Sequence, residues 1–252
     1  VRHRVLKYLL SLATLGPNMV PPTMWNRLHN LTHHRHAGTP HDPDRPFIES
    51  ERGLATTWYA RMFYPSRQGR RNYPLVLLHF VTYLSRNIAS VFYPDDRKPA
   101  IVTSKPAYRP RERAAIALEL VVMSAMQYGV WIVAGRSWWN YFWASPAALG
   151  AASAVVMAYV FTNHFLNPIT HDHDPIAGTT SVIVPPIVDR LHCNFSYHTE
   201  HHLFPSLNSD YYPMVSAALK TEAGERYQQL PIGEAWRRLW QQDEFRQVTT
   251  GE

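Results

Sequence analysis

Two long apolar runs stand out in a chain that elsewhere mixes apolar and polar positions. Ala114 to Ala134, AAIALELVVMSAMQYGVWIVA, has 21 residues and a single charge, Glu119; Tyr141 to Phe161, YFWASPAALGAASAVVMAYVF, has 21 and none. Each reaches the ~20 residues an α-helix needs to cross a bilayer core. The short link GRSWWN between them carries a Trp pair of the kind that sits at membrane interfaces. The pattern predicts a transmembrane hairpin, with a buried helical hairpin in a soluble protein as the competing reading. Glu119 fits a span least well, although its place near one end lets it reach the interface or face the protein interior.

Shorter patterns flank the hairpin. Over residues 54–94 apolar groups alternate with Arg, and the apolar core PLVLLHFVTYL is too short to cross. This region reads as an interfacial amphipathic segment, or alternatively as a buried soluble helix. Residues 95–113 read as a polar loop feeding the first span. After Pro213, IGEAWRRLWQQDEF carries apolar residues at helical spacing and reads as a packing element. The expected fold class is an all-α integral membrane helical protein. It has two transmembrane helices (114–134 and 141–161), interfacial helices and a histidine-rich helical cap over 162–252.

Composition sharpens this. Charged residues make up 17%, against about 25% in an average soluble protein. The mean hydropathy of −0.28 nevertheless leaves most of the chain wet, as a few spans with a large aqueous part would. The net charge of +6 suits an anionic membrane surface or an acidic protein partner. Nucleic acid has only that charge in its favour and is discounted. The inter-span link holds Arg136 alone among the Lys and Arg residues, so positive-inside bias puts both flanks in the cytoplasm, with every histidine on one membrane face. One cysteine, Cys193, excludes an intrachain disulfide and any Cys-rich zinc or iron–sulfur site. The opening VRHRVLKYLL is no signal peptide and does not begin with Met, so the chain is expected to start inside a longer protein.

The polar chemistry therefore rests on histidines and carboxylates. RLHNLTHHRHAGTPHDPD places His29, His33, His34, His36 and His41 together. On an α-helix, His29 and His33 share a face and His34 lies one residue's rotation away. In YHTEHHLFP, His198, His201 and His202 stand at i, i+3 and i+4, again one face. Two triplets with adjacent pairs point to a metal site, since imidazole suits Fe, Zn and Cu. A pH-sensing surface gives no reason for such spacing. His164, three residues beyond the second apolar run, and His171 in the following loop are each a candidate extra ligand; His173 reads as solvated. Asn163 and Asn167 can bind a metal-bound water or cap the helix, with capping preferred. Asp42 and Asp44 make turns or hold a ligand imidazole, and Glu200 is a similar supporting candidate. His3, His79 and His192 stand alone and read as structural.

HNLTHHRHAGTPHDPD resembles the second histidine box of the membrane fatty acid desaturase family, and NFSYHTEHHLFPSLNSDYYP resembles the third. The apolar runs fall between the boxes, as that family's third and fourth transmembrane helices do, and the resemblance covers most of residues 25–213. It implies a di-iron enzyme that uses O₂ and two electrons to remove hydrogen from an unactivated acyl C–H pair. The family's ligand roles carry to His29, His33, His34, His198, His201 and His202, with a further ligand on His164 or His171. Implied partners are a fatty acyl lipid, the bilayer, and an electron donor such as a ferredoxin or cytochrome-type reductase. The family's first box, His-x-x-x-His, has no counterpart here, so the chain by itself is expected to bind iron incompletely. A lipid or carotenoid hydroxylase or ketolase of the same di-iron class, and a catalytically incomplete metal-binding membrane protein, are the alternatives.

Overall fold

The computed structural model describes residues 3–39, 41–44, 65, 76–78, 83–92 and 108–242. The first helix, α1 (Arg4–Leu15), is rich in good helix formers, starts where the His3 ring accepts the Leu6 amide, and ends at Gly16-Pro17. Proline at the first helical position opens α2 (Pro22–Trp25). It runs into a π-helical stretch, Asn26–His33, and a last turn, α3 (His34–His36). After α4 (Tyr83–Phe92) comes the long α5 (Pro110–Val133). It begins four residues before the apolar run because Pro110 sits at its first position and the Glu112 carboxylate reaches back to the Arg109 N–H at 2.8 Å. The next helical run extends from Trp138 to His164. It comprises α6 (Trp138–Phe142), a π-turn at Trp143–Ala147 that contains Pro146, and α7 (Ala148–His164).

Beyond His164 the chain folds into short elements: α8 (Pro175–Gly178), β1 (Ser181–Ile183), α9 (Pro186–Leu191), α10 (His198–Leu203), α11 (Tyr212–Glu222), β2 (Gln229–Pro231) and α12 (Ile232–Gln241). Strands β1 and β2 pair in parallel, Ser181 opposite Gln229 and Ile183 opposite Pro231. Among the described residues this short ladder is the only sheet in an otherwise all-α chain.

Residue contacts divide the chain into two units, Val1–Thr32 with Leu78–Val155, and His33–Leu77 with Val156–Glu252. The first has a core of Val20, Met24, Leu28, Tyr108 and Ile116. Its α5 is not the core helix of a soluble protein, since Leu118, Val121 and Val133 are 64%, 66% and 88% exposed. Apolar side chains bared on a helix of spanning length are what lipid would cover. Glu119 resolves as inward-facing. Its buried carboxylate accepts the Tyr8 hydroxyl at 2.9 Å, the Thr23 amide and the Thr23 hydroxyl. Trp138, Trp139 and Trp143 are exposed at the link, as an interfacial belt requires.

In the second unit α12 packs on the end of α7. Ala235 and Leu239 are fully buried, and the Trp236 indole donates to the Ala158 carbonyl at 3.1 Å, as the amphipathic pattern implied. Most of the 54–94 segment, the loop over 95–107 and His79 lie outside the described residues. The described part of that segment includes α4, an amphipathic helix with Ile88 and Phe92 exposed and Asn87 and Ala89 buried.

Candidate metal centre

The second unit gathers imidazoles from three distant stretches. His33 enters at the end of the π-helical segment, His164 is the last residue of α7, and His198 and His202 stand one turn apart on α10. The ligand nitrogens of His33, His164 and His202 all lie within 4.8 Å of one another, and all three residues are buried. The Nε2 atoms of His198 and His164 approach to 2.6 Å, and those of His202 and His198 to 3.1 Å. The ring of His34 lies 4.7 Å from those of both His201 and His202. Six imidazoles thus form one cluster. Ring nitrogens turned toward each other at such distances need a cation or shared protons between their lone pairs.

Burial, and then the neighbouring rings of His198, His33, His164 and His34, hold the His202 pKa well below its ordinary value. A neutral imidazole is the form that binds a metal. His202 Nδ1 is buried with no hydrogen-bond partner among the described residues. All of this fits a metal site built from imidazole alone.

Carboxylates stand behind the rings. Asp42 is fully buried, and its Oδ1 accepts from His33 Nδ1 at 2.7 Å. The same carboxylate accepts the Asp44 amide at 2.9 Å and the Gly38 amide at 3.3 Å. It therefore shapes the turn and also holds an imidazole, leaving His33 Nε2 for the cluster. Asp44 lies farther off, at 4.0 Å from His33 Nδ1. Gly38 has φ +77, and an added Cβ would come within 3.2 Å of the Gly178 backbone, so the close approach of this turn to α8 requires glycine at position 38.

Glu200 takes a different part. Its buried carboxylate accepts from Ser181 Oγ at 2.6 Å and from the Tyr227 hydroxyl, tying α10 to β1 and to the segment before β2. Burial, then the charge and hydrogen bond of Glu200, push the Tyr227 phenol well above its ordinary pKa, so it remains a donor. Tyr212, whose hydroxyl lies 3.2 Å from His201 Nδ1, falls within the third-box stretch without having been singled out there, and Tyr227 carries no signal in the linear pattern.

The structure separates the candidates that spacing left level. His164 is buried within the cluster, whereas His171 is exposed in a bend and His173 is exposed just after it. The preferred capping role does not hold for Asn163. Asn163 lies inside α7, its carbonyl accepts the Thr180 amide at 2.8 Å, and its buried amide side chain makes no hydrogen bond among the described residues. The Asn167 amide donates to Thr180 Oγ1 at 3.0 Å. His29 belongs to the first unit, where its ring stacks on Trp25 at 4.2 Å. Its segment is π-helical rather than α-helical, so the turn carrying the first histidine cluster is wider than i, i+4 reasoning assumes. His192 is not isolated, because its Nδ1 lies 3.0 Å from the Tyr159 hydroxyl.

A family model described as fatty acid desaturase matches residues 1–232. Comparison with curated proteins finds none that matches.

Proposed function

The chain belongs to the fatty acid desaturase family, and from that premise we propose that it is an O₂-dependent oxidoreductase that introduces a C=C bond into a lipid acyl chain. The observation that carries this reading is the cluster of six imidazoles, five of them buried, at the end of a helix long and apolar enough to span a membrane. In this reading His33, His34, His164, His198, His201 and His202, with His29 kept from the family pattern, contribute ligands to a histidine-ligated di-iron centre. Iron bound there supplies the O₂ activation that breaking an unactivated acyl C–H bond requires.

The chain's own residues supply the rest. Asp42 fixes the tautomer and ring orientation of His33 by accepting from Nδ1. Burial keeps His202 neutral and its lone pair available. Glu200, held by Ser181 and Tyr227, sets the position of α10 and so of three rings at once. An acyl lipid reaches such a site from the bilayer along the span that ends in His164. The cytoplasmic face is the side that loop charge favours, and its basic surface suits an acidic electron donor. The whole chain is taken as one desaturase-type domain, with residues 162–252 as its cap.

The reading is tested by iron analysis and product mass spectrometry of the intact protein with a reductant and acyl lipids. A product two hydrogens lighter than its substrate, lost in His202→Ala together with the iron, is the expected result. Inserted oxygen would assign the hydroxylase or ketolase chemistry instead, and iron binding without turnover would assign a metal-binding membrane protein. Full turnover in an iron-free His202→Ala variant would refute the ligand assignment.

A further inference from the structure

The first unit holds a cavity of about 730 Å³ between its membrane helices, within the size range of small-molecule sites. Its wall is mainly apolar, with Met19, Leu78, Leu84, Phe142 and Leu149 among the lining residues. Asn18, Ser124 and Ser153 interrupt it at separate points, and a hydrogen-bonded polar cluster is made by Gln127 of α5 with Tyr141 and Ser145 of the second helical run. Gln127 lies eight residues beyond Glu119, roughly 12 Å farther along the helix. Tyr8 meets Glu119, and Pro17 meets Gln127, so α1 and the turn after it follow α5 to that depth. The cluster therefore lies well inside a helix of spanning length.

The direction of the hydrogen bonds determines what the cluster accepts. Gln127 Nε2 donates to the Pro17 carbonyl at 3.1 Å, which fixes the amide orientation, since the opposite one would set oxygen against oxygen. Its Oε1 then accepts from both Ser145 Oγ, at 2.6 Å, and the Tyr141 hydroxyl, at 3.2 Å. Both hydroxyl protons are committed to that one oxygen. What remains is lone pairs on Tyr141 and Ser145 and the second N–H of Gln127, in a medium where unmet polar groups are costly. A hydroxyl both donates and accepts, and so satisfies this set. A carboxylate would face lone pairs, an ester carbonyl could use only the N–H, and a hydrocarbon would use nothing. Ser145 is buried within a π-turn widened at Pro146, a local irregularity of the kind that often marks a site.

We propose that this cavity is a binding site for a lipid alcohol, with the ligand hydroxyl at the Gln127–Tyr141–Ser145 cluster and its hydrocarbon along the apolar wall. The test uses the intact protein in lipid nanodiscs and a photoactivatable hexadecanol, with the labelled peptides mapped by mass spectrometry. Labels are expected on peptides containing residues 124–127 and 141–153. Unlabelled hexadecanol should compete about tenfold better than hexadecane or methyl palmitate, the worth of one or two buried hydrogen bonds. Cholesterol in a parallel arm distinguishes a polycyclic from a linear alcohol as the natural source. Gln127→Leu should abolish the preference for alcohol. Ser145→Ala and Tyr141→Phe, which leave the Gln127–Pro17 bond in place, should each reduce it and so keep the test decisive if Gln127→Leu does not fold. Equal competition by hexadecane, or an alcohol preference unchanged in Ser145→Ala and Tyr141→Phe, would overturn the proposal. The readout is binding, so it stands or falls apart from the metal reading.

Discussion

Asp42→Asn is the sharpest probe of the candidate centre, because it changes charge with almost no change in shape. The carboxylate and the His33 ring are both buried at 2.7 Å, a geometry in which a charge-assisted hydrogen bond contributes about 1.5–3 kcal/mol and a neutral one about 0.5–1.5. An asparagine can turn its oxygen toward His33 and the Asp44 amide, but its NH₂ then faces the Gly38 N–H, donor against donor. The net loss is about 1–2 kcal/mol, corresponding to roughly tenfold weaker iron binding, the low end of the 10–100-fold typical for residues that orient metal ligands. Asp42→Ala removes all three acceptor contacts and should approach a hundredfold loss. Anaerobic Fe(II) titration against a competing chelator measures both, with thermal unfolding of the metal-free proteins as the stability control. Wild-type affinity in both variants, or a larger loss in Asn than in Ala, would refute the view that Asp42 acts by holding the His33 ring.

Three further outcomes follow from the same geometry. His164→Ala should lose iron while His171→Ala keeps it, as metal analysis of the purified proteins would show; the reverse pattern would return the extra ligand to the loop. Glu119→Leu leaves the Thr23 amide without its acceptor, at a cost of up to about 1–3 kcal/mol for a buried donor, and also removes the acceptor of the half-exposed Tyr8 hydroxyl at lower cost. Thermal unfolding in detergent should therefore drop by several degrees, with partial recovery in Glu119→Gln, and an unchanged midpoint would count against the network. On α12, hydrogen bonds from Arg237 and then Arg238 hold the Glu234 pKa down at about 2 from 4.5. Because the folded value is depressed, the stabilising contribution is present above pH 4.5 and lost as pH falls toward 2. Wild type and Glu234→Gln should thus converge in unfolding profile below that window, and also in high salt, which screens this surface pair.

The linear pattern was enough to read both spans, the two histidine triplets and the amphipathic tail, because an apolar run long enough to cross a bilayer and a repeat on a helical face are one-dimensional properties. The span limits moved by a few residues, and at their starts caps such as Pro110 with Glu112, and Ser137 with Asn140, extended the helices. Family membership was legible in the same motifs. Tertiary structure decided what depends on where the chain returns in space. It put His164 inside the cluster and His171 outside it, made Asp42 rather than Asp44 the closer partner of His33, and turned Glu119 inward onto Tyr8 and Thr23. It also gave Glu200 partners 19 and 27 residues away. No local spacing encodes such pairings. A buried polar group takes whichever complementary group the packing delivers, because leaving it unpaired costs more than almost any choice of partner.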